Sequence, residues 1–290
     1  EVPVICIGNL TAGGSGKTPL VRFIRQHLKF KGFDPVVLTR GYGGKADQVL
    51  LTDYQNLPSL KQTGDEVRLH LMDGPVMIAA DRAKGAQVIE DKTDCDIIVM
   101  DDGFQNPRLK KGLSILAVDG AKGFGNGQII PRGPLREPVL SGLKRADALV
   151  IIGPEDKHNL KERYGYLLPC FRADFTADQT AGVQPNTDQR YLAFAGIGHP
   201  EKFLDTLVKS GYETAELIKF PDHHSYRTRE LKKLQKKADQ TDAQLITTEK
   251  DWVRLNPLWQ DKVLNLPVGL SFEPTGQFEQ WLAQAIPFNH

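Results

Sequence analysis

"VPVICIGNLTAGGSGKTPLVRFIRQHL", residues 2–28, decides the fold. An unbroken β-branched run, Val2–Ile7, leads through a glycine-rich turn into a segment that opens "PLVRFIRQHL", with Pro19 in its first turn. Proline suits that place because the first N–H groups of a helix have no intrahelical partner. An apolar run without alternation is the pattern of a strand buried on both faces of a parallel sheet. The turn supplies what a phosphate cradle needs. Gly13, Gly14 and Gly16 let backbone N–H groups approach an anion, Lys17 adds charge, Thr18 offers a hydroxyl to magnesium, and the helix N-terminus faces the phosphates. The nucleotide-binding set is therefore Thr11, Ala12, Gly13, Gly14, Ser15, Gly16, Lys17 and Thr18. The usual spacing, G-x-x-x-x-G-K-[ST], puts a glycine where this chain has Thr11. That difference matters only if the position needs positive φ.

A phosphate loop calls for an acid at the end of a second buried strand. "DIIVMDDGFQN", residues 96–106, ends its apolar run in Asp101 and Asp102. Two adjacent carboxylates repel, and a cation relieves them, so Thr18, Asp101 and Asp102 are the expected Mg²⁺ ligands.

Further runs at Pro35–Leu38, Val76–Ala79, Ser114–Val118 and Ala148–Ile152 alternate with helical stretches. The expectation is an α/β, P-loop NTPase-like parallel sheet with flanking helices. The polar stretch 172–190 reads as a connector. After it, "YLAFAGIG", "TAELIKF", "AQLITTE" and "LNLPVGLSF" read as strands of a second, smaller α/β domain, giving domains 1–170 and 171–290. "RTRELKKLQKKADQ" carries Leu231 and Leu234 at helical spacing and reads as a helix with a solvated basic face.

In 290 residues, Lys+Arg 37 and Asp+Glu 36 give a net charge of +1, so no global field attracts nucleic acid. Three cysteines without C-x-x-C spacing fit reduced thiols rather than a disulfide frame or a zinc site. No apolar run approaches the roughly 20 residues that span a bilayer, which predicts a soluble body. The chain opens at Glu1, directly before an apolar strand, so a preceding segment is expected. Nothing in the sequence points to an obligate protein partner.

"GNLTAGGSGKTP", "LTRGYGG", "GDE", "DRAKGA", "IIVMDDGFQ", "PRGPLREP", "AGIGHPEKF", "FPDHHSY" and "TTEKD" occur in the order of the tetraacyldisaccharide 4′-kinases, a family this chain resembles over most of its length. The family's loop has the form GNxTxGGxGKTP, which accounts for Thr11. The resemblance implies an ATP- and Mg²⁺-dependent kinase of lipid A biosynthesis. Its lipid substrate is an acylated glucosamine disaccharide 1-phosphate, and its place is the cytoplasmic face of the inner membrane. Two departures stand out: Asn106 occupies a place where the family often has histidine, and the amphipathic segment that usually precedes the first strand is missing from this sequence.

The same resemblance implies roles. Asp65 of the GDE motif is the expected general base, with Glu66 the adjacent alternative. From "FPDHHSY", which offers Asp222, His223 and His224, His223 is expected to orient and tune that carboxylate. Arg40, Tyr42, Arg82, Arg132 and Arg136 sit near glycine or proline turns. There a guanidinium can reach a phosphate bidentately, and Arg136 is assigned to the catalytic set. "FAGIGHPEKF" reads as a strand-to-helix junction. "TTEKD" faintly resembles a base-reading motif, or has Thr247 or Thr248 capping the next helix. The rival reading is a regulatory or chaperone-type NTPase that hydrolyses nucleotide without a lipid acceptor.

Overall fold

The computed structural model describes residues 1–41, 49–53, 56, 63–177, 185–186 and 188–286. In chain order the first elements are β1 (Val4–Gly8), α1 (Lys17–Phe30), β2 (Pro35–Thr39), β3 (Leu50–Thr52), α2 (Asp65–Asp73), β4 (Val76–Ile78) and α3 (Arg82–Lys92). Then come β5 (Ile97–Asp101), β6 (Leu113–Asp119), α4 (Val139–Leu143), β7 (Ala148–Ile152), α5 (Leu160–Tyr164), β8 (Cys170–Ala177), β9 (Arg190–Ala195) and α6 (Pro200–Lys209). The chain closes with β10 (Glu213–Lys219), α7 (Thr228–Gln240), β11 (Ala243–Thr248), α8 (Glu249–Trp252), α9 (Pro257–Gln260), β12 (Leu264–Leu266), β13 (Val268–Glu273) and α10 (Gln277–Ala285).

One compact unit holds Glu1–Phe175 and Leu270–His290, and a second holds Thr176–Gly269. This corrects the expected division at 170/171, because the C-terminal segment belongs to the first unit. Its Leu270, Phe272, Phe278 and Leu282 share a buried cluster with Phe171 and Ala173, and Phe272 stacks on Phe278 at 4.2 Å. "LNLPVGLSF" is likewise two strands rather than one. Pro267, which has no N–H for a ladder, separates β12 of the smaller sheet from β13 of the larger. The connector reading of residues 172–190 also gives way in part, since Arg172–Ala177 lie in β8, where Phe171 and Ala173 face the core.

The first unit is built on a nine-stranded sheet of order β13-β8-β7-β6-β1-β5-β2-β4-β3. β1 lies between β5 and β6, parallel to both, with Ile7 beside Asp101 and Gly8 beside Leu116. Each of β1, β2, β5 and β7 is buried along its whole length, as their apolar runs require. α1 buries Leu20, Val21, Ile24 and Leu28 along one stripe. Arg25 is buried on it too, and desolvation pulls its guanidinium down to about 10. It donates from Nη1 to the His70 carbonyl at 2.9 Å and from Nη2 to the Pro75 carbonyl at 2.7 Å, while Arg22 pairs with Asp73. These contacts clamp α2 against α1.

The second unit is a four-stranded parallel sheet of order β10-β9-β11-β12. Successive β9 residues face opposite sides, as a strand dictates: Leu192 and Phe194 pack with Leu231 and Leu234, and Tyr191 and Ala193 with Phe203 and Leu207. The basic segment is α7, which buries Leu231, Leu234 and Ala238 and leaves Lys232, Lys233 and Lys236 exposed.

Candidate active site

The loop after β1 is held from one side by residues 134–136. Thr11 forms an antiparallel bridge with Leu135, the Ala12 N–H donates to the Pro134 carbonyl at 2.7 Å, and the Arg136 N–H donates to the Leu10 carbonyl at 2.8 Å. The left-handed residues are Gly13, with φ 109°, and Gly16, with φ 82°, and Thr11 is not among them. The unusual spacing is therefore harmless, because the position that lost its glycine does not need one. Inside the loop, buried Asn9 donates to Ser15 Oγ at 3.0 Å. A Cβ on Gly16 would lie 2.7 Å from Ile152 Cδ1, whereas Gly13 and Gly14 have open space where theirs would point. α1 begins with no side-chain cap and no acid in its first turn, so its N–H groups remain available to an anion.

Parallel pairing of β1 with β5 delivers the acids beside this loop. Asp101 ends β5 and is buried, with Oδ2 at 2.8 Å from Nε2 of buried His70 on α2. Its Oδ1 is buried without a hydrogen-bond partner among the described residues. Asp102 turns out of the strand at φ 52° and donates its N–H to the Ile7 carbonyl at 2.9 Å. Arg136 grips the Asp102 carboxylate bidentately, at 3.1 and 3.2 Å, and Lys17 Nζ lies 3.6 Å from Oδ1. Gln105 ties the three segments together. Its amide donates to the Asn9 carbonyl at 2.9 Å and to Glu137 at 3.2 Å, and its Oε1 accepts from Arg136 at 3.4 Å.

The other positions singled out in the first unit fall as follows. Asp65 and Glu66 open α2, where negative charge meets the positive end of the helix. Arg82 is buried and donates to the Ala79 carbonyl at 2.6 Å; burial first, then Arg40, lower its pKa. Arg132 is exposed on the loop 125–132, and Tyr42 lies outside the described residues. Asn106 is a turn residue whose Oδ1 accepts from the Arg108 N–H at 2.8 Å.

In the second unit the two histidines have different surroundings. His224 stacks on Phe220 at 4.8 Å, and its Nε2 lies 3.2 Å from Glu230, which also caps α7. His223 has φ 58° and a side chain 62 % exposed, and its Nδ1 accepts from Arg254 Nη2 at 3.1 Å. Behind it lies buried Asp251, which accepts from the Gly196 N–H at 3.1 Å, Tyr226 at 2.9 Å, Thr248 at 2.7 Å and Arg254 at 3.1 Å. Burial and Asp251 drive the Tyr226 hydroxyl far above its usual pKa, so it remains a donor. Thr248 caps α8, accepting from the Asp251 N–H at 3.0 Å.

The family model described as LpxK, tetraacyldisaccharide-1-P 4′-kinase, matches residues 1–287. The chain belongs to this family. It is 43% identical over 285 residues to the tetraacyldisaccharide 4′-kinase of Rhodospirillum centenum, covering 98% of this chain and 83% of that one. The corresponding protein of Gluconacetobacter diazotrophicus is 42% identical over 288 residues, covering 98% and 86%. Among solved structures, LpxK from Aquifex aeolicus in complex with ATP superposes with a TM-score of 0.74 at 27% identity, covering 99% of this chain and 89% of that one.

In this kinase fold the first unit brings the loop 11–18, Asp101, Asp102 and Arg136 together. Sequence reasoning passed over His70, which contacts Asp101, and Gln105 and Glu137, which contact each other; in the second unit it passed over Arg254, which contacts His223. Gln105 and Glu137 lie inside quoted motifs, in "DDGFQ" and "PLREP". His70 shares the buried stripe Val67, His70 and Leu71, an i, i+3, i+4 pattern in which a histidine signals a buried partner.

Proposed function

We propose that the chain is an ATP-dependent kinase of lipid A biosynthesis. It transfers the γ-phosphate to the 4′-hydroxyl of a tetraacyldisaccharide 1-phosphate, working peripherally at the cytoplasmic face of the inner membrane. The observation that carries this reading is the pairing of Ile7 with Asp101, which sets a phosphate loop and an acid pair side by side at the ends of β1 and β5.

Backbone N–H groups of residues 13–16 and the start of α1 bind the phosphates, Gly13 and Gly14 leave the room for them, and Thr11 and Ala12 anchor the loop to residues 134–135. Lys17 and Arg136, which rest on Asp102, turn to phosphoryl oxygens when nucleotide enters. The donor set fits magnesium, since the orphaned Oδ1 of Asp101 is a buried acceptor in need of a cation or donor, and Thr18 and Asp102 complete the set. When bound, Mg²⁺ neutralises charge on the transferring phosphate. Asp65 is assigned to take the proton of the sugar hydroxyl and His223 to tune that base, the roles that the family resemblance implies.

Support for work at a lipid surface comes from the segment that braces the loop. Ile129, Ile130 and Leu140 are 44, 52 and 53 % exposed, with exposed Arg132 beside the first two and Lys144 one turn from Leu140 on α4. Apolar side chains rimmed by cations suit an anionic bilayer. Among the described residues no helix is long and apolar enough to cross a membrane.

The test is purified protein with labelled ATP, with and without tetraacyldisaccharide 1-phosphate. Label in the disaccharide supports the kinase. Phosphate release that ignores the acceptor would instead support the regulatory NTPase.

A further inference from the structure

The segment "TTEKDWVR", residues 247–254, holds no group assigned to phosphoryl transfer, yet two of its charged side chains, Asp251 and Arg254, are almost wholly buried, at 0 and 3 % exposed. We propose that Arg254 is a positioning residue that fixes the tautomer of His223, placing the ring proton on Nε2. This rests on the reading that His223 serves Asp65.

A guanidinium carries five N–H donors and no acceptor. Arg254 Nη2 lies 3.1 Å from His223 Nδ1, so Nδ1 must present its lone pair, and the proton of the neutral ring resides on Nε2. Arg254 is itself held. Its Nη1 donates to the Gly196 carbonyl at 3.0 Å and to Asp251 Oδ1 at 3.1 Å. Asp251 is fixed in turn by Thr248, Tyr226 and the Gly196 N–H. The backbone of His223 is tied to the same centre, because its N–H donates to the Gly196 carbonyl at 3.1 Å. Gly196 has no room for more: a Cβ there would lie 3.0 Å from both the Pro221 carbonyl and the Tyr226 hydroxyl, and 3.1 Å from Asp251 Oδ1.

With Nδ1 engaged by Arg254, the neutral ring carries its proton on Nε2, which can only donate. On the reading that His223 serves Asp65, the carboxylate rather than the ring then accepts the hydroxyl proton. "TTEKD" and Arg254 thereby become the mounting of a histidine rather than a reader of the nucleotide base.

The experiment uses the full chain with ¹⁵N-labelled histidine and long-range ¹H–¹⁵N correlation, the His223 ring being assigned by its loss in His223→Ala. The wild-type ring is expected in the Nε2–H form. Arg254→Met, which has no donor, should release it to the other form or to a mixture, with kcat about 10- to 100-fold lower and ATP KM unchanged, the usual cost of losing a group that orients a site residue. Arg254→Lys keeps a donor and should restore the Nε2–H form and most of the turnover. A wild-type ring protonated on Nδ1, or an Arg254→Met ring identical to wild type, overturns the proposal. The wild-type spectrum decides even if Arg254→Met does not fold. If the spectra behave as expected while neither His223→Ala nor Arg254→Met slows transfer, the tautomer assignment stands and the catalytic role of His223 falls.

Discussion

Lys17 is 14 % exposed, contacts Asp102 and fills no core space, so its removal should separate chemistry from folding. Lys17→Ala is expected to lower acceptor phosphorylation by about 10²- to 10³-fold or more, the scale of losing one preorganised charge contact, with an unchanged melting temperature. Normal turnover in a folded variant would remove the loop from the mechanism. The Asp65 and His223 roles make a different demand, because residues acting as one unit lose rate non-additively. Asp65→Ala should cost about 10²- to 10⁴-fold in kcat, and adding His223→Ala should cost little more, whereas multiplied losses would mean that the two act separately. Buried thiols give a third expectation. Burial pushes Cys6 up to about 12 from its usual 9.0, so the folded state keeps a proton that the unfolded chain releases. A proton held by the folded state means that stability is fully present below pH 9 and falls as pH rises from 9 toward 12, by about 1.4 kcal/mol per unit for this thiol. Urea titrations at pH 8 and 10.5 should show a shallower alkaline loss in Cys6→Ala than in wild type.

The loop between β1 and α1 was legible in outline because its glycines, lysine and threonine each answer one physical demand of a phosphate. What could not be read was why Thr11 is tolerated, since the answer is a backbone bridge to Leu135, a partner more than a hundred residues away. Gly16 is the position where conformation and space both bind, with φ 82° and a Cβ that would strike Ile152. Gly16→Ala should therefore abolish binding of a fluorescent ATP analogue, while Gly14→Ala, whose Cβ meets no protein atom within 4 Å and intrudes only on the room left for phosphate, should weaken it and keep it measurable. Equal affinities would show that the loop does not hold the phosphates in this geometry. The strands read correctly were those buried on both faces, such as β1, β5 and β7. β8 was missed because Asp174, Thr176 and their neighbours carry the polar signature of a connector, and only its contacts with Phe272 and Phe278 make it a strand of the core. The split at Pro267 was visible as a residue but not as a boundary, because nothing local says that β12 and β13 belong to different sheets. His70 and Arg254 escaped for the same reason, each being defined by a partner remote in sequence.

Across the whole molecule a net charge of +1 conceals how charge is distributed, and the loop 125–132 is where that matters. Exposing two adjacent isoleucines to water is unfavourable, yet the loop is firmly built. The Ile130 N–H donates to the Leu135 carbonyl at 2.9 Å, the Arg132 N–H to the Ile129 carbonyl at 3.0 Å, and Asn126 to the Arg132 carbonyl at 2.9 Å. The same segment holds the phosphate loop through Pro134 and Arg136, so whatever meets its tip meets the enzyme beside the site. A lipid acceptor with its sugar at the surface of a bilayer asks for that arrangement. The Ile129→Ser, Ile130→Ser double variant forfeits roughly half the burial of two large apolar side chains, worth about 1.5–3 kcal/mol each when complete. Its partition onto phosphatidylglycerol vesicles should fall about tenfold or more at every salt concentration. Arg132→Glu with Lys144→Glu should instead weaken binding most at low salt, where each basic residue is worth about 1 kcal/mol, and least at high salt, where that attraction is screened. Both variants should phosphorylate a detergent-dispersed acceptor at the wild-type rate, since neither pair touches Lys17, Asp101, Asp102 or Arg136. Wild-type vesicle binding in both would show that another face meets the membrane. Lost activity in detergent would show instead that the tip belongs to the acceptor site, where the acyl chains rather than the bilayer cover Ile129 and Ile130.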